Sequence, residues 1–172
     1  QRRAKFVEKL NTYGAVFYEN LQDVRENIKI RYKCSAEPED ACQSLLDKMQ
    51  ANAKREREMG TSLVGPHRED LEILINEKDS KVYASQGQQR TAMLALKLAS
   101  LEIAQEQTGE SPILLLDDVF SELDQKRRES LMEIVSNRQV FITCTDLEGM
   151  GKISGAFYYT VEQAKVNLKK RG

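Results

Sequence analysis

The segment Ile113-Leu114-Leu115-Leu116-Asp117-Asp118 sets the tightest limit on what this chain can fold into. An uninterrupted apolar run of strand length must be covered on both faces, a condition met in mostly parallel sheets flanked by helices. The surrounding pattern agrees. A strong helix pattern runs from about Gln88 to Gln107, Leu123 to Asn137 is again helical, and Val140 to Thr145 reads as another buried strand. Strands separated by helices pair in parallel, so the expected class is α/β.

Upstream, Phe6, Leu10, Tyr13, Phe17, Leu21, Val24 and Ile28 recur at steps of three and four, which predicts a long amphipathic helix over residues 5–27. Ile28, Ile30 and Tyr32 alternate with Lys29, Arg31 and Lys33, a short strand with a basic outward face. A second helix is expected next, with Pro38, Glu39 and Asp40 at its start, Leu45, Leu46 and Met49 facing inward, and Gly60 capping its end. Leu71, Ile73 and Ile75 then form a strand up to the turn Asn76 to Ser80, with Lys81 to Ala84 returning as its hairpin partner. Gly149 to Gly155 reads as a flexible turn, Phe157 to Val161 as an edge strand and Lys169-Lys170-Arg171 as a basic tail.

Composition excludes several classes of function. Charged residues make up 31% of the 172 and the formal net charge is −1, so no field of the whole molecule draws in nucleic acid and any such contact must be a local patch. No apolar run approaches the ~20 residues of a membrane span, so no membrane partner and a cytoplasmic location are expected. Cys34, Cys42 and Cys144 lack C-x-x-C spacing, and His67 is the single histidine. That set is too small for a zinc site and reads as reduced thiols.

Two motifs carry chemistry. Asp117 and Asp118 place hard oxygen ligands at the C-terminal end of a strand, where open α/β sheets bind ligands. The segment resembles a Walker B motif, in which one acid (Asp117) holds magnesium and the next (Asp118) orients or deprotonates the attacking water. Ser85-Gln86-Gly87-Gln88-Gln89 sits between a strand and a helix, where a hydroxyl and a helix N-terminus converge as a phosphate oxygen requires. As an isolated string it equally describes a Ser-initiated helix cap. It resembles the signature of the ABC ATPases, which closes in trans on ATP held by a second protomer. Ser121-Glu122-Leu123-Asp124, after the two acids, resembles the D-loop of the same interface, with Ser121 and Asp124 as its polar members.

Together, Gly65-Pro66-His67-Arg68, Ser85 to Thr91 and Leu114 to Asp124 resemble the RecF family of bacterial recombinational repair ATPases, relatives of the SMC heads. Asp in place of Glu at 118, and the absence of a Leu-Ser-Gly-Gly-Gln string, favour repair over transport. The resemblance implies the C-terminal part of an ABC-type head within the P-loop NTPase superfamily, over residues 61–172, with a helical arm or lobe over 1–60. It further implies ATP and Mg2+ as cofactors, an ATP-dependent homodimer, single-stranded or gapped or junction DNA as a partner, and RecR and RecO as co-workers in loading recombinase. The head of another SMC-like or transporter ATPase, and a non-catalytic DNA-binding or docking module, are the rival readings.

No Gly-x-x-x-x-Gly-Lys-[Ser/Thr] string occurs, and the chain begins with Gln1, so the phosphate-binding loop is expected upstream and this chain alone is expected to be inactive. No histidine follows the strand Val140 to Thr145; Thr145 and Asp146 are the candidates there for sensing the γ-phosphate. His67, Arg68, Arg90, Lys126, Arg127 and Arg128 are candidates for DNA phosphates, with solvated surface as the plainer alternative. Arg90 stands out because a cation in a helix's first turn opposes the dipole unless an anion is near.

Overall fold

The structure is a computed structural model that describes residues 2–22, 24–35, 40–145, 153 and 155–171, with side chains up to residue 169. It divides into two compact units, Gln1–Leu114 and Leu115–Gly172.

The first unit contains α1 (Arg2–Asn20), β1 (Ile28–Lys33), α2 (Ala41–Met59), β2 (Asp70–Ile75), β3 (Lys78–Asp79), α3 (Ser80–Tyr83) and α4 (Gln86–Thr108). Its core forms where α1 packs on α4 and on β1. The buried stripe of α1 is Val7, Leu10, Gly14 and Tyr18, continued by Leu21. The expected stripe through Phe6, Tyr13 and Phe17 therefore lies up to one residue off. Gly14 explains the rotation: a Cβ there would sit 3.0 Å from Leu96 Cδ2 of α4 and 3.8 Å from Ile30 Cδ1 of β1. The helix is turned so that its one residue without a side chain meets its neighbours most closely.

β1 follows the expected alternation, with Ile28 and Ile30 buried and the lysines and arginine outward. It pairs antiparallel with β2 from Ile28↔Ile75 to Lys33↔Asp70. Asn76 and Glu77, both at positive φ, make the tight turn into β3, the two-residue hairpin loop whose twist suits the strands. β3 is short, and Lys81 to Ala84 do not return as a strand. Asp79 accepts the N–H of Lys81 and starts the helical turn α3 instead, a local cap outcompeting an extended edge.

α2 ends as expected, with Gly60 in the left-handed conformation. The inward face assigned to Leu45, Leu46 and Met49 is absent: none of its residues is buried, and Leu46 and Met49 are exposed. Pro38 and Glu39 lie outside the described residues. α1 and β1 belong to the core that α4 completes, so of the expected helical arm only α2 stands apart from buried surface. α4 buries residues from Thr91 to Ile103 around most of its circumference, which is why its sequence is apolar beyond a single stripe.

The second unit holds β4 (Leu114–Asp117), a 3-10 turn at Val119–Glu122, α5 (Gln125–Val135), β5 (Val140–Thr143), β6 (Phe157–Glu162) and β7 (Lys165–Arg171). β4 and β5 pair with their C-terminal ends together, the N–H of Asp118 donating to the carbonyl of Thr143. They are parallel, as expected. Within this chain Leu114 and Leu116 are buried, while Leu115 and Phe141 are exposed. Beyond them the basic tail proves to be β7, antiparallel to β6 through Gln163 and Ala164, both at positive φ. Of the flexible turn expected at 149–155, only residues 153 and 155 are described.

Candidate functional site

Ser85 is the N-cap of α4. Its Oγ accepts the N–H of Gln88 at 3.2 Å and Gln88 Oε1 accepts the N–H of Ser85 at 2.7 Å, a reciprocal capping box. Gln89 N–H is taken by the Ser85 carbonyl at 3.0 Å. The N–H groups of Gln86 and Gly87 precede the first bonds of the helix, at its electropositive end. Ser85 and Gln86 are exposed and Gly87 half-buried. The two following glutamines are turned inward. Gln89 Nε2 donates to the carbonyls of Ser80 at 2.8 Å and Ala84 at 3.3 Å, fastening α3, and Gln88 Nε2 donates to Glu26 at 2.6 Å. The capping reading and the phosphate-facing reading thus coexist: Ser85 caps with a lone pair and keeps its hydroxyl proton to donate.

In the second unit Asp117 and Asp118 stand exposed at the end of β4. Asp118 adopts a left-handed conformation (φ 50, ψ 26), which aspartate tolerates better than most residues. Its N–H donates to Thr143 twice, at 3.2 Å to the carbonyl and 3.1 Å to Oγ1, and the Thr143 hydroxyl donates to the carboxylate of Asp117. Thr143 is the functional candidate that sequence reading passed over in favour of Thr145 and Asp146. Thr145 is exposed past the strand end and Asp146 lies outside the described residues. Only the register of two parallel strands brings Thr143 to the acids, and no spacing in one segment signals that.

Of the D-loop pair, Ser121 Oγ donates to the Asp118 carbonyl at 2.8 Å and closes the 3-10 turn. Asp124 caps α5, accepting the N–H of Arg127 at 2.9 Å and its guanidinium at 2.9 Å. Arg128 Nε donates to the Leu123 carbonyl at 2.9 Å. Arg68 is similarly engaged by its own loop, through the Ser62 carbonyl at 2.8 Å and Thr61 Oγ1 at 3.0 Å. His67, Arg90 and Lys126 are exposed. Of the six DNA candidates, Arg68, Arg127 and Arg128 are thus held by partners close to them in sequence.

Among the described residues no group of three or more His, Cys, Asp or Glu side chains is arranged to hold a metal. A nucleotide-bound magnesium ion needs fewer, because it keeps waters and phosphate oxygens beside one or two carboxylates. The exposed carboxylate of Asp117 fits that role.

No family model matches the chain. The DNA replication and repair protein RecF of Clostridium botulinum is 39% identical over all of this chain, and RecF of Lactobacillus gasseri is 45% identical over 87% of it. The chain belongs to the RecF family. It spans 46% and 42% of those two relatives, and it corresponds to the C-terminal part of such proteins. A solved structure of the recombination mediator protein RecF with ATP, from the RecFOR pathway, matches with a TM-score of 0.80 at 35% identity, over 98% of this chain and 45% of that one. An SMC ATPase structure matches with a TM-score of 0.56 at 12% identity, a likeness of fold alone. The fold of this RecF-family chain is therefore, as expected, that of the C-terminal part of an ABC-type, P-loop NTPase head. Among the described residues no helix is long and apolar enough to cross a membrane.

Proposed function

We propose that this chain carries the signature and acidic strand end of a RecF-like repair ATPase, whose phosphate-binding loop lies in the part of the protein this chain does not span. Ser85 and the first amides of α4 meet the γ-phosphate of ATP held by a second protomer, so ATP drives dimerisation. Asp117 holds magnesium, Asp118 orients the attacking water, Ser121 and Asp124 line the crossing loop, and Thr145 or Asp146 approaches the γ-phosphate. The assembled dimer binds gapped or junction DNA in the cytoplasm and works with RecR and RecO in loading recombinase, and hydrolysis resets it. The observation that supports this most is the likeness to ATP-bound RecF over nearly the whole chain.

Within this reading His67, Arg68, Arg90, Lys126, Arg127 and Arg128 are the residues offered to DNA phosphates, and a phosphate would have to draw Arg68, Arg127 and Arg128 away from the partners described above. The test is Ser85→Arg in the full-length protein, with magnesium and a slowly hydrolysed ATP analogue. Each monomer should still bind the analogue while sedimentation shows no dimer and turnover falls with it. A variant that is thermally weakened yet still dimerises would reduce Ser85 to a helix cap, whose loss costs about 0.5–2 kcal/mol.

A further inference from the structure

Glu26 lies in the link between α1 and β1, outside every motif. Its Oε2 accepts a hydrogen bond from the Tyr18 hydroxyl at 3.0 Å and its Oε1 accepts from Gln88 Nε2 at 2.6 Å. Tyr18 is completely buried, so this hydroxyl is a fixed anchor. Gln88 passes the constraint on through the capping box to the N–H and the hydroxyl of Ser85. A chain of hydrogen bonds thus runs from the core of the unit to the residue that begins the signature turn.

The chemistry of Glu26 decides which way that chain points. An ionised carboxylate only accepts, so the NH2 end of the Gln88 amide must face it, which leaves the carbonyl end for the N–H of Ser85. Were the Gln88 amide turned over, two donors would meet at Ser85 and the capping box would open. We propose that Glu26 is a positioning residue for the signature turn: by fixing the Gln88 amide against Tyr18, it holds the Ser85 hydroxyl and the first amides of α4 where a phosphate oxygen can receive them. This rests on the reading of residues 85–89 as a trans-acting signature.

The test uses the full-length protein and the variants Glu26→Ala, Glu26→Gln and Tyr18→Phe, with Ser85→Arg alongside. Turnover, KM, ATP affinity of the monomer and thermal midpoint are measured for each. Glu26→Ala should lower kcat by about tenfold to a hundredfold, the scale of a misplaced positioning group, with monomer affinity unchanged. Glu26→Gln still offers a carbonyl to Gln88 and an NH2 to the Tyr18 oxygen, so it should recover most of kcat. Tyr18→Phe keeps the carboxylate and loses its anchor, and should fall between the two.

A purely structural role moves the thermal midpoint and leaves kcat at parental values well below that midpoint; this result overturns the proposal. Should Glu26→Ala not fold, parental kcat in Tyr18→Phe overturns it equally. Failure of the underlying signature reading looks different. Ser85→Arg would then dimerise and turn over like the parent, whereas an inert Ser85→Arg beside a fully active Glu26→Ala removes only the positioning role.

Discussion

The hydroxyl of Thr143 donates to the carboxylate of Asp117 from the neighbouring strand, and the same oxygen accepts the N–H of Asp118. One side chain on β5 therefore sets the rotamer of the first acid and the backbone entry to the second. The left-handed turn at Asp118 is supported by that pair of bonds and by Ser121 behind it.

Thr143→Val keeps the shape of β5 and removes this bridge. In the full-length protein, the Asp117 carboxylate loses its orienting donor, so the magnesium concentration for half-maximal turnover should rise several-fold. Stability should fall by about 0.5–1.5 kcal/mol, the usual net worth of such a bond. Unchanged magnesium dependence in steady-state assays would show that the bridge only shapes the strand end.

Asp118→Asn separates the two acids. It removes the carboxylate assigned to the attacking water and leaves Asp117 for the metal. ATP binding and dimerisation should persist, with turnover suppressed by at least about a hundredfold, the lower end of the range for losing a general base. Turnover at the parental rate, measured by phosphate release, gives Asp118 another role.

What the sequence carried and what it could not divide along physical lines. Ser85, Gly60 and the alternating β1 were legible because caps and period-two patterns are local, set by residues within a few positions. The orientation of α1 was not, because Gly14 carries no hydrophobic signal and acts only through Leu96 and Ile30, which the chain brings close by folding. Thr143 and Glu26 escaped for the same reason: each works on a segment distant in sequence, Asp117 or Gln88. The short return of β3 was misread because Asp79 capping Lys81 competes with a strand pattern that looks equally good on paper.

Asn11 supplies a stability prediction of the same non-local kind. Its Nδ2 donates to the carbonyl of Ile30 at 2.8 Å and its Oδ1 accepts the N–H of Ile30 at 2.7 Å. A helix side chain thereby completes the edge of β1. Asn11→Leu strands both backbone groups, at about 1–3 kcal/mol for each left unpaired in a buried setting. The denaturation midpoint should drop with little change in slope; a midpoint within error of the parent would mean that water replaces the amide at no cost.

Glu69 provides the last prediction, through pH. Its carboxylate is surrounded by the Tyr32 hydroxyl, Cys34 Sγ at 3.4 Å, the N–H of Ser35 at 3.4 Å and the guanidinium of Arg3 at 2.8 Å. Burial alone would raise its pKa, but the hydrogen bonds from Tyr32, Cys34, Ser35 and Arg3 outweigh burial and hold it below the usual carboxylate value. Tyr32 responds oppositely: burial first, then the bond to Glu69, push its phenol up to about 12. The signs follow from linkage. Glu69 is more acidic folded than unfolded, so its contribution is complete above the unfolded value of 4.5 and is lost as pH falls through the lower folded value. Tyr32 is less acidic folded, so its contribution is complete below 10.0 and is lost as pH rises toward about 12. Thermal midpoints of the full-length protein followed from pH 7 down to pH 3 should fall less steeply in Glu69→Gln than in the parent, because this carboxylate no longer takes up a proton on unfolding. Tyr32→Phe should flatten the alkaline limb instead, between about pH 10 and 12, by the share that this phenol contributes. Parallel acid limbs for parent and Glu69→Gln would mean that the four donors around Glu69 hold it no more tightly than water does.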